Sequence, residues 1–125
     1  GGIGLGAAIR WLQYQNMDML AAQEEMLLKK ATDIIQSHKG LRIIGTAAEK
    51  ASVVSFVSDK AHPSDIGTLL DQQGIAVRTG QHCTQPIMDR YGIPGTVRAS
   101  LAAYTTVEHL DALVDGVQKA ARMLL

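Results

Sequence analysis

Apolar positions along the chain change period twice. From Ile3 to Gln15 the sequence is rich in Ala and Leu, with Ile9 and Leu12 three apart on one face, which predicts a helix. Asn16-Met17-Asp18 interrupts it, and Asp18 is placed to cap a second, longer helix. Leu20, Leu27, Ala31, Ile34 and Ile35 form the apolar stripe of that helix, with Glu24, Glu25, Lys29 and Lys30 mostly toward solvent. Gly40 supplies the left-handed residue expected just past its end.

Helical spacing then gives way to short β-rich runs. Leu41, Ile43 and Ile44 run into Gly45, and Ser52 to Val57 is dense in β-branched and aromatic residues, so two strands flank a polar turn at Thr46–Lys50. Pro63 suits the first turn of a helix capped at or near His62, with Asp65 at its positive end, Ile66, Leu69 and Leu70 on its buried face, and Gly74 as its stop. Ile75-Ala76-Val77 reads as a third strand, the residues after Pro86 as a helical turn ending near Gly92, and Thr96 to Leu101 as a fourth strand. A terminal helix follows: Thr105 with Glu108 reads as a capping box, and Val107, Leu110, Leu113, Val114, Val117, Ala121 and Leu124 recur at helical spacing. The order predicts an α+β fold, a two-layer sandwich of a small, mainly antiparallel sheet covered by helices.

Composition narrows the function classes. The 125 residues suit one domain, and 12 Lys+Arg balance 12 Asp+Glu, which leaves no net field to recruit nucleic acid or an anionic membrane. Aromatic residues at 4% are too sparse for a base-stacking platform, and no apolar run approaches the length of a membrane span. Cys83 is the single cysteine, so no internal disulfide can form and a reducing, cytoplasmic setting is expected. The opening Gly1-Gly2-Ile3 carries no initiator Met and no targeting pattern, so a processed or excerpted piece of a longer protein is expected.

The chemistry concentrates in Arg78-Thr79-Gly80-Gln81-His82-Cys83-Thr84-Gln85-Pro86, a polar loop between a predicted strand and a predicted helix. A lone cysteine can be a buried structural thiol, but the polar flanks, Gly80 and Pro86 favour an exposed, reactive one. The thiolate is the nucleophilic form, and cationic neighbours favour it. Arg78 and His82 are near in sequence and Arg98 lies on the next strand. Two arginines beside a thiol could bind a small carboxylate bidentately, or could instead pair with Asp71 or Asp89. His82 either transfers a proton or only shapes the loop.

Three other patterns fail their context. Gly2-Ile3-Gly4-Leu5-Gly6-Ala7 matches a dinucleotide fingerprint formally, with Glu24 and Glu25 downstream, but no strand precedes it. His38, His62 and His109 show no ligand spacing relative to Cys83, so no metal site is expected. Lys39 in Ser37-His38-Lys39 sits at a helix C-terminus, where the helix dipole explains a cation.

The run Ile75-Ala76-Val77-Arg78-Thr79-Gly80-Gln81-His82-Cys83, together with Val97-Arg98-Ala99-Ser100-Leu101-Ala102, resembles the cysteine desulfurases. It is most similar to their group II (SUF-type) branch, which includes selenocysteine lyases. Gly2 to Ala8, His62 with Asp65, and Pro94-Gly95-Thr96 match further, and the short loop Gln81–Pro86 is of the group II kind. Thr105 departs from the Asn usual in the family, although both residues can cap a helix.

The resemblance implies a fold-type I enzyme that uses pyridoxal phosphate to take sulfur from cysteine, or selenium from selenocysteine, leaving alanine. Cys83 would be the persulfide-forming nucleophile and Arg98 would hold the substrate carboxylate, with Arg78 and His82 lining the same entrance. Sulfur would pass to an acceptor protein for iron–sulfur cluster assembly. The lysine and phosphate-binding groups of the family map to no position here, so no cofactor is expected on this chain and the isolated chain is expected to be inactive. Residues 1–38 would be joining helices from the end of the large cofactor-binding domain, and 39–125 the small C-terminal domain. The face that packs on the absent N-terminal domain would be exposed, and self-association through it, as in a homodimer, is an expectation. The other reading of the residues is an isolated sulfur-acceptor or docking module without catalysis of its own.

Overall fold

The computed structural model describes residues 1–124. Its elements run α1 (Gly2–Gln13), α2 (Met17–Ser37), β1 (Leu41–Ile44), β2 (Val53–Ser58), α3 (Pro63–Asp71), β3 (Arg78–Gly80), α4 (Gln85–Tyr91), β4 (Thr96–Ser100) and α5 (Val107–Met123). The strands form one antiparallel sheet in the order β1-β2-β4-β3, which is the expected α+β architecture.

Strand alternation decides which residues form the core. Val54 pairs with Ala99 and Phe56 with Val97, and these four side chains point to one face of the sheet. That face receives Leu27, Ala31 and Ile35 of α2, Ile66 and Leu70 of α3, and Leu110, Leu113 and Val117 of α5. Phe56, Val54, Leu70 and Val97 are fully buried. The alternate residues, Ser55 on β2, Arg98 on β4 and Arg78 on β3, stand in one row across the opposite face, because Ser55 pairs with Arg98 and Arg98 with Arg78.

Several local expectations shift by a residue or more. Asn16, not Asp18, caps α2: its side-chain oxygen accepts from the Met19 amide at 3.1 Å, and Asp18 falls inside the first turn, where its charge suits the helix dipole. α2 stops at Ser37 with His38 extended, so Gly40 (φ +86°) makes the tight turn into β1 and is not the helix terminator. Ile75-Ala76-Val77 is not a strand. The Ile75 amide donates to the Leu70 carbonyl at 3.0 Å, closing the end of α3, and Ile75 and Val77 pack on the core from irregular backbone. Pairing with β4 starts only at Arg78.

The capping box of α5 belongs to Thr106, whose hydroxyl accepts from the His109 amide at 3.4 Å while His109 Nδ1 accepts from the Thr106 amide at 3.2 Å. Thr105 is buried and accepts from the Ala102 amide at 2.9 Å. α1 stands apart from the core. It has no buried residue, and Ile3, Leu5, Ile9, Trp11, Leu12 and Tyr14 are all exposed. No helix among the described residues is long and apolar enough to cross a membrane.

Candidate active site at the thiol turn

A tight turn presents the cysteine. The Thr84 amide donates to the Gln81 carbonyl at 2.9 Å, and the Thr84 hydroxyl donates to the same oxygen at 2.7 Å. The two residues enclosed, His82 (φ +53°) and Cys83 (φ +59°), are both in the left-handed region. Turns of this shape ordinarily use Gly, Asn or Asp, and a residue with a Cβ costs about 1–2 kcal/mol there. The strain falls on the two residues proposed for chemistry. Cys83 is an exposed free thiol at the turn's tip.

Glycines set the turn on the sheet. Gly80 ends β3 opposite Thr96, and a Cβ on Gly95 would lie 2.8 Å from the Gly80 carbonyl carbon and oxygen. Only glycine at position 95 lets the two backbones approach this closely. From the turn, His82 Nε2 reaches back to the hydroxyl of Thr96 at 2.9 Å. Burial, the Arg98 guanidinium and then Arg78 together hold the His82 ring below its ordinary value of 6.5, while the Thr96 backbone opposes them. His82 is therefore neutral near pH 7, and the fixed cations beside the turn are the two arginines.

Arg78 and Arg98 are directly opposed across the β3–β4 ladder, a like-charge pair that is unfavourable unless an anion bridges it. Neither takes the salt bridge that was the alternative from sequence. Among the described residues the one salt bridge joins Lys30 to Asp111 at 3.7 Å, and Asp89 accepts from Gln85 at 2.7 Å. Arg98 is half-buried, and its Nε is a fully buried donor with no acceptor. The arrangement offers a planar, cationic receptor for a carboxylate on the sheet's open face, in one row with Ser55.

The structure thus brings Cys83, His82, Arg78 and Arg98 onto neighbouring elements. Sequence reasoning missed Ser55 and Thr96. Ser55 is the single polar residue inside Val-Val-Ser-Phe-Val, an outward-facing interruption that could have been read. Thr96 gave no signal, being one more β-branched residue at the start of a strand. A cavity of about 950 Å³ lies between α2 and the β1–β2 loop, at the sheet edge opposite β3, and takes no part in this site.

A pyridoxal phosphate site needs a lysine for the Schiff base and a partner for the ring nitrogen. Lys29 and Lys30 are on α2, Lys39, Lys50 and Lys60 on the connections around β1 and β2, and Lys119 on α5. None is on β3, α4, β4 or the segments joining them, so this chain's own residues do not fit a site for that group beside Cys83.

Residues 1–113 match the family model for aminotransferase class V. A protein of Streptomyces coelicolor named "Probable cysteine desulfurase" is 48% identical over 118 residues, 93% of this chain and 28% of that protein. The solved structure of a cysteine desulfurase from Escherichia coli in an S-sulfonic acid form superposes with TM-score 0.90 at 36% identity, over 98% of this chain and 30% of that one. The apo structure of a cysteine desulfurase from Thermococcus onnurineus superposes with TM-score 0.91 at 33% identity, over 99% of this chain and 31% of that one. The chain spans less than a third of the length of each of these proteins. With the match running through the thiol turn and into the start of α5, this chain belongs to the aminotransferase class V family.

Proposed function

We propose that the chain is the thiol-bearing C-terminal part of a group II (SUF-type) cysteine desulfurase, with residues 1–38 joining a large cofactor domain to the small domain of residues 39–125. The cofactor, pyridoxal phosphate, belongs to the remainder of the parent protein. The observation that supports this reading is the buried, unpartnered Nε of Arg98, directly opposite Arg78 on the strand that leads into a strained turn whose tip is a free thiol. A carboxylate bound by the Arg98 guanidinium relieves the repulsion between the arginines.

Each residue then has a task. Arg98 binds the carboxylate of cysteine, Arg78 adds positive potential at the same entrance, and His82 shapes the turn. Cys83 thiolate attacks the substrate sulfur: an S–S bond forms, the substrate C–S bond breaks, and its electron pair goes to carbon, which takes a proton to become the methyl group of alanine. Cys83 is left as a persulfide, exposed at a turn tip where an acceptor protein can take the sulfur on for iron–sulfur cluster assembly.

The test uses the full-length protein. Cys83→Ala abolishes sulfide release from cysteine, while release of selenium from selenocysteine, a better donor, is less affected. Arg98→Lys keeps the charge but loses the planar fork, and raises KM for cysteine by about tenfold. Sulfide release at the wild-type rate from the Cys83→Ala protein overturns the role of Cys83.

A further inference from the structure

We propose that Thr96 is a positioning residue for the thiol: its hydroxyl pins the His82 ring to β4 and so holds the turn that lifts Cys83 into solvent. The inference deepens the desulfurase reading and rests on it for its catalytic consequence; the anchor itself stands on geometry.

The turn cannot hold its shape through its own sequence. His82 and Cys83 adopt successive left-handed conformations without being Gly, Asn or Asp, and the bonds inside the turn join only Gln81 to Thr84. Among the described residues, His82 Nε2 to Thr96 Oγ1, at 2.9 Å, is the one side-chain hydrogen bond that ties the segment Gln81–Thr84 to another element.

Its far end is rigid. Thr96 is 2% exposed, lies in the β4 ladder opposite Gly80, and follows Gly95, whose backbone is pressed against that of Gly80. A strained turn is thus tied by one of its two strained residues to a buried residue of the strand that also carries Arg98. The tie fixes the thiol turn relative to the carboxylate-binding guanidinium, which a group acting on a small amino acid requires. One hydrogen bond of ordinary strength shifts the balance between pinned and released turns by roughly 2- to 10-fold.

The experiment compares wild type, Thr96→Val and Thr96→Ser by NMR of the His82 ring in the 125-residue chain. In wild type, the ring shows contacts to the Thr96 side chain and titrates below the ordinary histidine value, because it is partly buried and sits beside Arg98 on β4 and Arg78 on β3. Thr96→Val, of nearly the same shape, loses the hydrogen bond, and the released ring leaves its burial and the two guanidiniums, so it titrates upward toward the ordinary value. Thr96→Ser retains the wild-type titration. Absence of the ring–Thr96 contacts in wild type overturns the anchor without any variant having to fold, as does a Thr96→Val ring that titrates like wild type, or a Thr96→Ser ring that behaves like Val.

The second arm is kcat for sulfide release by the full-length protein. Thr96→Val lowers it about 2- to 10-fold and Thr96→Ser restores it. If Cys83→Ala is also fully active, the desulfurase reading has failed while the NMR result stands. If Cys83→Ala is inactive and Thr96→Val is wild type in both kcat and titration, the anchor has failed and the reading stands.

Discussion

Replacing Gly95 by Ala tests how tightly the thiol turn is seated. The added Cβ would lie 2.8 Å from the carbonyl carbon and oxygen of Gly80 and 2.9 Å from its Cα. These are backbone atoms in a strand pair, so no side chain can rotate away, and β3 must move from β4. Overpacking of this kind together with the positive φ of +159° costs about 2–4 kcal/mol. For a chain of 125 residues this lowers Tm by roughly 8–16 °C. Gly92→Ala is the matched control: Gly92 has φ +61° but open space around its Cβ position, so only the conformational cost of about 1 kcal/mol applies. Urea unfolding of both variants, followed by circular dichroism, separates contact from conformation. A Gly95→Ala midpoint no lower than that of Gly92→Ala refutes the close approach of the two backbones and, with it, the rigid seat of the turn.

Two further outcomes follow from the packing and the charges. Phe56→Ala, at the fully buried centre of the sheet, destabilises by about 3–5 kcal/mol in the same urea assay, and a loss below 1 kcal/mol would mean the core is not organised around β2. His82 is held below its ordinary value in the folded chain, so the unfolded chain takes up the proton first as pH falls. The stability from the neutral ring is present above the ordinary histidine value and is lost as pH falls through the lowered one. The urea midpoint therefore drops between pH 7.5 and 5.5, and drops less in His82→Asn, where Asn suits the left-handed backbone; equal drops would show that the ring is not held neutral by the fold.

Much of this fold was legible because its elements have strong periods. The stripe Leu27, Ala31, Ile35 on α2 and the run Leu110, Leu113, Val117 on α5 point inward as their spacing predicts. Errors came where long-range partners override local pattern. Ile75 and Val77 carry strand-like side chains, but the Ile75 amide is committed to ending α3, and the ladder is set by what β4 offers from Thr96 to Arg98. The choice between Thr105 and Thr106 as cap depended on a hydrogen bond from Ala102 that no spacing rule contains.

The site was legible in its residues and not in its mechanics. Polar flanks located Cys83 and the arginines, yet their opposition across β3 and β4 needs the register, and the buried Nε of Arg98 needs the packing. The left-handed pair His82–Cys83 was illegible, since neither residue type announces that conformation. The strain is held by tertiary contacts to Thr96 and by the glycine approach, which appear only once the strands are paired.

The most direct test of the account is whether sulfur rests on Cys83. Full-length protein is mixed with cysteine, quenched with an alkylating reagent during turnover, and digested with trypsin, and the peptide Thr79–Arg90 is weighed. The account predicts a fraction of that peptide one sulfur atom heavier than its alkylated form, which reductant converts to the free-thiol peptide. Unmodified Cys83 throughout turnover, with sulfide released at the full rate, contradicts it.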